Sequence, residues 1–434
     1  MWWRIPLSPP NSAKSPAFYC GAFCFWNQLL WRTLVCVGLP DYSMRPGGGF
    51  AKIGALNFRW ITNLYCEAFA SGKCVSCPHI HQSYLQQLQR KQAQLQQIFP
   101  GLPLELPCPS ETAHFRNKAK MVVMGTSTEP VLGILNADEQ VDLTACQLYP
   151  AGFQQAFAHL TDFIRLVGMQ PYQVESKRGE VKFILLSYSE LDGWLLRFVL
   201  RSQHHLAAIR KHLPTLQQHW PALKVVTVNL QPEHKAILEG EQEFVLSAEA
   251  MLRQQLNDVV LYLQPQSFFQ TNSAVAAALY QTARDWTAAL KPARIWDLFC
   301  GVGGFALHLA SPEVQVTGIE ISAAAIDCAS RAARERGVSI DFRALDATAF
   351  ADAAAQAPDL LVVNPPRRGL GEALCERIDT LKPKALLYSS CNPITLARDL
   401  QSLPAYQPQR AQLFDMFPHT DHAEVLVLLL RQGD

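Results

Sequence analysis

The chain lacks an excess of charge of either sign: its 434 residues hold 38 Lys and Arg against 37 Asp and Glu. That balance excludes a global electrostatic footprint for nucleic acid and any acidic or basic tail, so an RNA site has to be a local patch. Long apolar runs are missing too. The best approach to one, Phe18 to Leu39, is broken by Asn27, Gln28 and Arg32 and has no convincing small-residue cleavage site. Its failure argues against a membrane span or a secretory leader and for a soluble, cytoplasmic protein. Internal repeats are absent, and a chain this long exceeds one ordinary core, which predicts two or three domains.

Cysteine, by contrast, is abundant and unevenly spread. Of 12 in all, Cys20, Cys24 and Cys36 lie near the start and Cys66, Cys74 and Cys77 form a tight group. Such clustering points to ligation rather than disulfides. Residues 1–63 mix Trp, Pro, Gly and Cys with neither an alternating nor a helical period, and Pro46 to Gly49 interrupts any order, so no fold is assigned there. Residues 64–100 read as the cysteine loop followed by one amphipathic helix, Gln82 to Phe99, where Leu85, Leu88, Leu95 and Phe99 recur among eight glutamines. Residues 101–255 are β-rich (Lys120 to Met124, Lys182 to Ser187, Trp194 to Leu200, Lys224 to Asn229) with a helix from Phe153 to Val167, which predicts a mixed α+β domain. Residues 256–434 alternate short apolar runs (Ile295 to Phe299, Val316 to Glu320, Leu360 to Asn364, Ala385 to Ser389) with helical lengths such as Ala323 to Arg336. That rhythm predicts an α/β, doubly wound, Rossmann-like parallel sheet.

Trp296 to Phe305 is a buried strand running into the turn Gly301-Val302-Gly303-Gly304, where a ligand can approach the backbone closely. Glu320 closes the next strand, at the distance suited to a carboxylate that bonds ribose hydroxyls. A glycine turn alone is as often packing as binding. With Glu320 it suggests an adenosine-containing cofactor, and the incomplete dinucleotide spacing favours S-adenosylmethionine over NAD. Two further strand ends, Asn364-Pro365-Pro366-Arg367 and Ser389-Ser390-Cys391-Asn392, should face the same cleft.

An exposed cysteine at a strand end can act as a nucleophile. Thiolate addition to C6 of uracil turns the ring into an enolate whose C5 attacks a methylsulfonium, after which a base removes the C5 proton and the thiolate leaves. Cys391 is the candidate thiol, and Phe417 to Val425 supplies candidate bases: His419, Asp421, His422 and Glu424. Spacing does not choose among these four.

The ordered set Gln266-Ser267-Phe268-Phe269-Gln270-Thr271-Asn272, Asp297-Leu298-Phe299-Cys300-Gly301, Asn364-Pro365-Pro366-Arg367, Ser389-Ser390-Cys391-Asn392 and Phe417-Pro418-His419-Thr420 resembles the bacterial RNA uracil-C5 methyltransferases. The resemblance implies that Gln270, Phe299, Glu320 and Asn364 bind S-adenosylmethionine, that Cys391 is the nucleophile and that Glu424 is the base, with Asp346 a weaker candidate for the adenine end. Cys66, Cys74, Cys77 and the distant Cys146 resemble the four ligands of a [4Fe–4S] cluster in ribosomal RNA members of the family. Zinc is the alternative, since four cysteines also suit it. The resemblance runs from about Leu64 to the C-terminus. The segment before it is therefore expected to reflect a misplaced start.

On this reading the partner is 23S ribosomal RNA, with no DNA and no membrane, and the protein is a monomer. Alternatives are a tRNA or other ribosomal RNA uracil-C5 methyltransferase and a non-catalytic, metal-stabilised RNA-binding protein. Arg116, Lys118 and Lys120 along one β-like segment, and Lys177, Arg178 and Lys182 near another, are expected to face RNA phosphates. The target uridine has to be flipped out of a locally unpaired loop.

Overall fold

The computed structural model describes residues 63–136, 139–234, 237–354 and 356–433. The expectation of no fold before residue 64 thus lies, apart from Asn63, outside the described residues.

The strands β1 (Lys118–Gly125), β2 (Pro130–Asn136), β3 (Glu139–Asp142), β4 (Val181–Ser189), β5 (Gly193–Leu200), β6 (Leu223–Leu230) and β7 (Gln242–Val245) form one sheet in the order β3-β2-β1-β4-β5-β6-β7. Neighbours run antiparallel except β5 and β6. A parallel pair needs a crossover, which the helix Leu206–His219 supplies. The helix Gly152–Val167 buries Phe153, Phe157, Leu160 and Ile164. Their spacing of four, three and four residues keeps them on one face, packed on the sheet with Leu186, Leu196 and Phe198.

After the hairpin β8 (Leu252–Leu256) and β9 (Val259–Leu263), the strands β10 (Arg294–Leu298), β11 (Gln315–Glu320), β12 (Ile340–Ala344), β13 (Leu360–Val363), β14 (Ala385–Ser390), β15 (Tyr406–Phe414) and β16 (Glu424–Arg431) make a second sheet, ordered β12-β11-β10-β13-β14-β16-β15. β10 to β14 are parallel, as the strand-and-helix rhythm predicts. The last two strands depart from it. β16 is antiparallel to β14 and β15 to β16, because the short connection 415–423 carries no crossover helix. Both faces of this sheet are covered. Leu360, Val362 and Leu387 enter one core, while Leu361, Val363 and Leu386 enter the other. Burial on two sides is why these strands read as continuous apolar runs rather than as alternation.

Two upstream segments dock on the second sheet. The stretch around Leu104 and Cys108 bridges to Ala411 and Phe414 on the outer strand β15, with Glu105 N donating to Ala411 O at 2.7 Å and Cys108 N to Leu413 O at 2.7 Å. It occupies the open edge that β15 would otherwise present. The helix Tyr84–Ile98 starts in a capping box made by Ser83 and Gln86. It buries Leu88 and Leu95, as its periodicity predicts, and also Lys91. The Lys91 ammonium donates to Asp415 Oδ1 at 2.6 Å, to Phe417 O at 3.0 Å and to His422 O at 2.8 Å. Desolvation pulls the pKa of this lysine down and Asp415 holds it up. Removing either partner would leave a buried uncompensated charge, a loss of about 3–5 kcal/mol.

Candidate active site

Three loops at one end of the second sheet are stitched together, those after the parallel strands β13 and β14 and the connection 415–423 before β16. Asn392 caps the helix Pro393–Gln401 by accepting from Ile394 N at 3.1 Å, and its Nδ2 donates to Arg367 O at 3.0 Å. The same carbonyl accepts from Thr395 Oγ1 at 3.2 Å. The Arg367 guanidinium in turn meets His422 Nδ1 at 3.2 Å. The loop after β13, the loop after β14 and the connection before β16 thereby surround one point. At that point lies Cys391.

The register of β14 and β16 pairs Ser390 with Val425, which sets Cys391 and Glu424 at the adjoining positions of the two strands. Glu424 is buried and accepts from Ser389 Oγ at 2.5 Å. Burial pushes its pKa up to about 7, against the lowering effect of Ser389. Burial also raises the Cys391 thiol, as does Glu424, while the Arg367 guanidinium lowers it. An acid that titrates near neutrality beside a thiol and a guanidinium is suited to taking up a proton. The competing bases are engaged elsewhere. The His419 ring is held at both nitrogens, Nδ1 by Gln87 Nε2 at 3.2 Å and Nε2 by Thr112 O at 2.7 Å. Asp421 pairs with His79 at 3.0 Å and Arg90 at 3.1 Å. His422 faces Arg367.

Of the residues expected to bind cofactor, Phe299, Glu320 and Asn364 stand at the neighbouring strand ends and Gln270 in the loop after the β8–β9 hairpin. Phe299, directly after β10, has φ 62°. A bulky residue in the left-handed region costs about 1–3 kcal/mol and persists where its surroundings over-determine it. Glu320 at the end of β11 accepts from Gly301 N at 3.2 Å and Ser322 N at 3.0 Å, tying the glycine turn to the next strand. A Cβ on Gly304 would sit 2.4 Å from the Tyr280 hydroxyl, so this position of the turn is closed to any side chain. Asn364 follows β13 and donates through its N to Leu298 O at 3.4 Å. Gln270 belongs to the loop after the hairpin; its carbonyl accepts from Asn117 Nδ2 at 3.1 Å, which anchors that loop to the first sheet. Asp346, the weaker candidate, is a helix cap, accepting from Thr348 N at 2.9 Å and Ala349 N at 3.0 Å.

Asp297 and Ser389 lie within the sequence motifs, which give neither of them a role. Asp297 is buried beneath the glycine turn, accepts from Ala306 N at 2.9 Å and is pushed up to about 7 by burial. An acid inside an apolar strand was the available signal for it. Ser389 had none, since only the pairing of β14 with β16 puts its hydroxyl on Glu424.

Residues 83–432 match the family described as tRNA (Uracil-5-)-methyltransferase. This chain belongs to that family. Among curated relatives, the 23S rRNA (uracil(747)-C(5))-methyltransferases RlmC of Escherichia coli and Shigella sonnei are each 51% identical over 375 residues, which is 85% of this chain and 100% of theirs. The crystal structure of Pyrococcus abyssi tRNA (uracil-54, C5)-methyltransferase with S-adenosyl-L-homocysteine is 25% identical, with a TM-score of 0.69 over 82% of this chain and 86% of that one. The family and this likeness identify the second sheet and its helices as an α/β S-adenosylmethionine-dependent methyltransferase fold, and the chain as an RNA uracil-C5 methyltransferase.

The four cysteines gather at one place. Cys77 is pushed up to about 12, first by burial and then by Cys146, Cys74 and Cys66, with the Arg116 guanidinium opposing. Gln147 Nε2 donates to Tyr65 O at 2.9 Å, joining the neighbours of Cys146 and Cys66. Among the described residues no group of three or more His, Cys, Asp or Glu side chains is arranged to hold a single metal ion. Arg116, expected to face RNA, turns toward these thiols and lies 6.0 Å over the Tyr149 ring, with its buried Nε unpartnered. Lys182 is also withdrawn from the surface, donating to Gln231 and to Glu233 O. Lys120, Lys177 and Arg178 are exposed. Among the described residues no helix is long and apolar enough to cross a membrane.

Proposed function

We propose that the chain methylates C5 of a uridine in 23S ribosomal RNA, uridine 747 by its likeness to the curated relatives, in the cytoplasm and as a monomer. Cys391 is the nucleophile and Glu424 the base. The observation that carries this reading is the placement of a buried acid with pKa about 7 next to the Cys391 thiol on adjoining strands. The Cys391 thiolate adds to C6, C5 takes the methyl group, Glu424 accepts the C5 proton, and the C6–S bond breaks to regenerate the thiolate. S-adenosylmethionine supplies the methyl group as an electrophilic sulfonium. Gln270, Phe299, Glu320 and Asn364 would hold it, Glu320 through the ribose hydroxyls. Arg367 favours the thiolate, and Ser389 orients Glu424.

Cys66, Cys74, Cys77 and Cys146 are assigned to a [4Fe–4S] cluster. Their fit rests on four neighbouring thiols with a partnerless buried guanidinium nitrogen of Arg116 beside them, a setting for an anionic group. Zinc is the alternative occupant, since four cysteines also suit it. The division into a cysteine loop and helix (64–100), an RNA-binding α+β domain (101–255) and a methyltransferase domain (256–434) is part of the same reading.

The test is mapping of 5-methyluridine in 23S ribosomal RNA and in tRNA from a deletion strain complemented with the parent gene or with Cys391→Ala. Restoration in 23S ribosomal RNA by the parent alone supports the reading. Restoration in tRNA instead transfers the activity to that substrate, and restoration by Cys391→Ala removes the nucleophile.

A further inference from the structure

A groove of about 490 Å³ opens beside Cys391 on the side of the helix Tyr84–Ile98. Its floor is apolar, made by Leu95, Leu413 and Val425, and its rim carries Gln94, Gln97 and Ile394. Val425 packs into the core beneath that helix, whereas Glu424, one residue earlier on the same strand, turns to Ser389 on the opposite face. The pyrimidine that gives up its C5 proton to Glu424 must therefore lie on Glu424's side of the thiol. The groove on the other side remains free for something else.

Its chemistry is that of a base site. Gln94 and Gln97 are exposed, and neither side chain makes a hydrogen bond within the described residues. Each offers a donor and an acceptor, the combination that reads the edge of an unpaired base. Ile394 is 70% exposed, an apolar surface against which a base can lie. Arg367, at the junction of groove and thiol, is an exposed guanidinium that suits the phosphate joining two nucleotides. The helix is not free to drift, because Lys91 fixes it to the connection that ends in Glu424.

We propose that this groove holds the nucleotide next to the target uridine on the same RNA strand, with Gln94 and Gln97 reading its base and thereby setting sequence context. The proposal rests on Cys391 being the nucleophile. Both glutamines are on the surface of a capped helix, so the full-length double variant Gln94→Ala/Gln97→Ala is expected to fold. Parent and variant would be assayed on RNA hairpins copied from the 23S segment, with the base on the 5′ or the 3′ side of the target uridine replaced in turn. The parent should discriminate by about tenfold in kcat/KM against replacements on one side. The double variant should raise KM about tenfold on the native hairpin, change kcat less than twofold, and lose that discrimination. An unchanged KM with discrimination retained overturns the proposal, as does a parent indifferent to both neighbours. A Cys391→Ala control that still methylates would overturn the nucleophile assignment instead, whatever the neighbour preference shows.

Discussion

Two thiol sites in this molecule are built from the same parts and set to opposite ends. At each, burial raises a cysteine and a guanidinium opposes the rise: Arg367 beside Cys391 and Arg116 beside Cys77. The difference is the remaining company. Cys391 has one acid, Glu424, which itself resists ionisation, whereas Cys77 has three more thiols. The first arrangement permits a thiolate that forms, reacts and is released. The second gathers four thiols around one guanidinium, and on the proposed cluster reading a permanent occupant suits it better than turnover.

The comparison breaks most decisively at Cys391. Cys391→Ala should abolish methyl transfer to RNA, measured with labelled methyl donor, while RNA binding and the thermal midpoint stay close to those of the parent. A residual rate within tenfold of the parent would mean that the two sites are not different in kind.

Glu424→Gln should come next, with a loss of roughly 10²–10⁴ in rate and a protein–RNA adduct that survives denaturing electrophoresis, since methylation no longer leads to release. In the parent, single-turnover rates should rise as pH passes about 7, where Glu424 becomes a carboxylate, and go on rising more gradually above it as more of the Cys391 thiol, itself raised by burial, ionises. Stability runs the other way. The folded pKa of Glu424 is raised above its ordinary 4.5, so its neutral form is the one the fold favours, and the burial cost grows as pH climbs from 4.5 through about 7. Glu424→Gln should therefore be more stable than the parent at pH 8, by at most roughly 3 kcal/mol, and no more stable at pH 4. Denaturant melts at the two pH values check this.

Ser389→Ala sharpens the same site by a smaller step. Losing the 2.5 Å hydrogen bond, which favours the ionised acid, should move the pH–rate midpoint upward by about one unit and lower the rate severalfold at neutral pH. An unmoved midpoint would remove Ser389 as the residue that tunes Glu424. At the cysteine loop, if the proposed cluster is present, Cys77→Ser should cost most of the iron and the visible colour of anaerobically purified protein while methyl transfer falls less than with either active-site variant. Full iron retention would end the ligand assignment. The smallest effect is expected from Lys120→Glu, which should reduce the salt dependence of RNA binding by about one unit of slope.

Much of this was legible in the residues. The run Leu360 to Asn364 and the helix Ala323 to Arg336 emerge nearly as read, because burial on both faces and a 3.6-residue period are local properties. The antiparallel turn of β15 and β16 was not, since continuous apolar runs carry no direction. The helix from Gln82 onward was legible from Leu88 and Leu95, yet nothing local announced that Lys91 would be buried, because its partner Asp415 lies 324 positions away. Arg116 and Lys182 misled for the same reason. A cation on a strand reads as solvent-facing until the thiols, or the Gln231 side chain, that receive it are folded alongside. Only resemblance separates Glu424 from the three other candidate bases, and its distinguishing property, burial against Ser389, exists only once β14 and β16 pair.

The strip of chain that runs beside β15 has a consequence for how the protein can be made. A ribosome finishes Leu104 and Cys108 long before their partners Ala411 and Phe414 emerge, so the cover is already waiting when the final hairpin appears. Expressing residues 256–434 alone would supply the lid-less hairpin, and the ladder left bare along β15 would recruit another copy of itself into inclusion bodies.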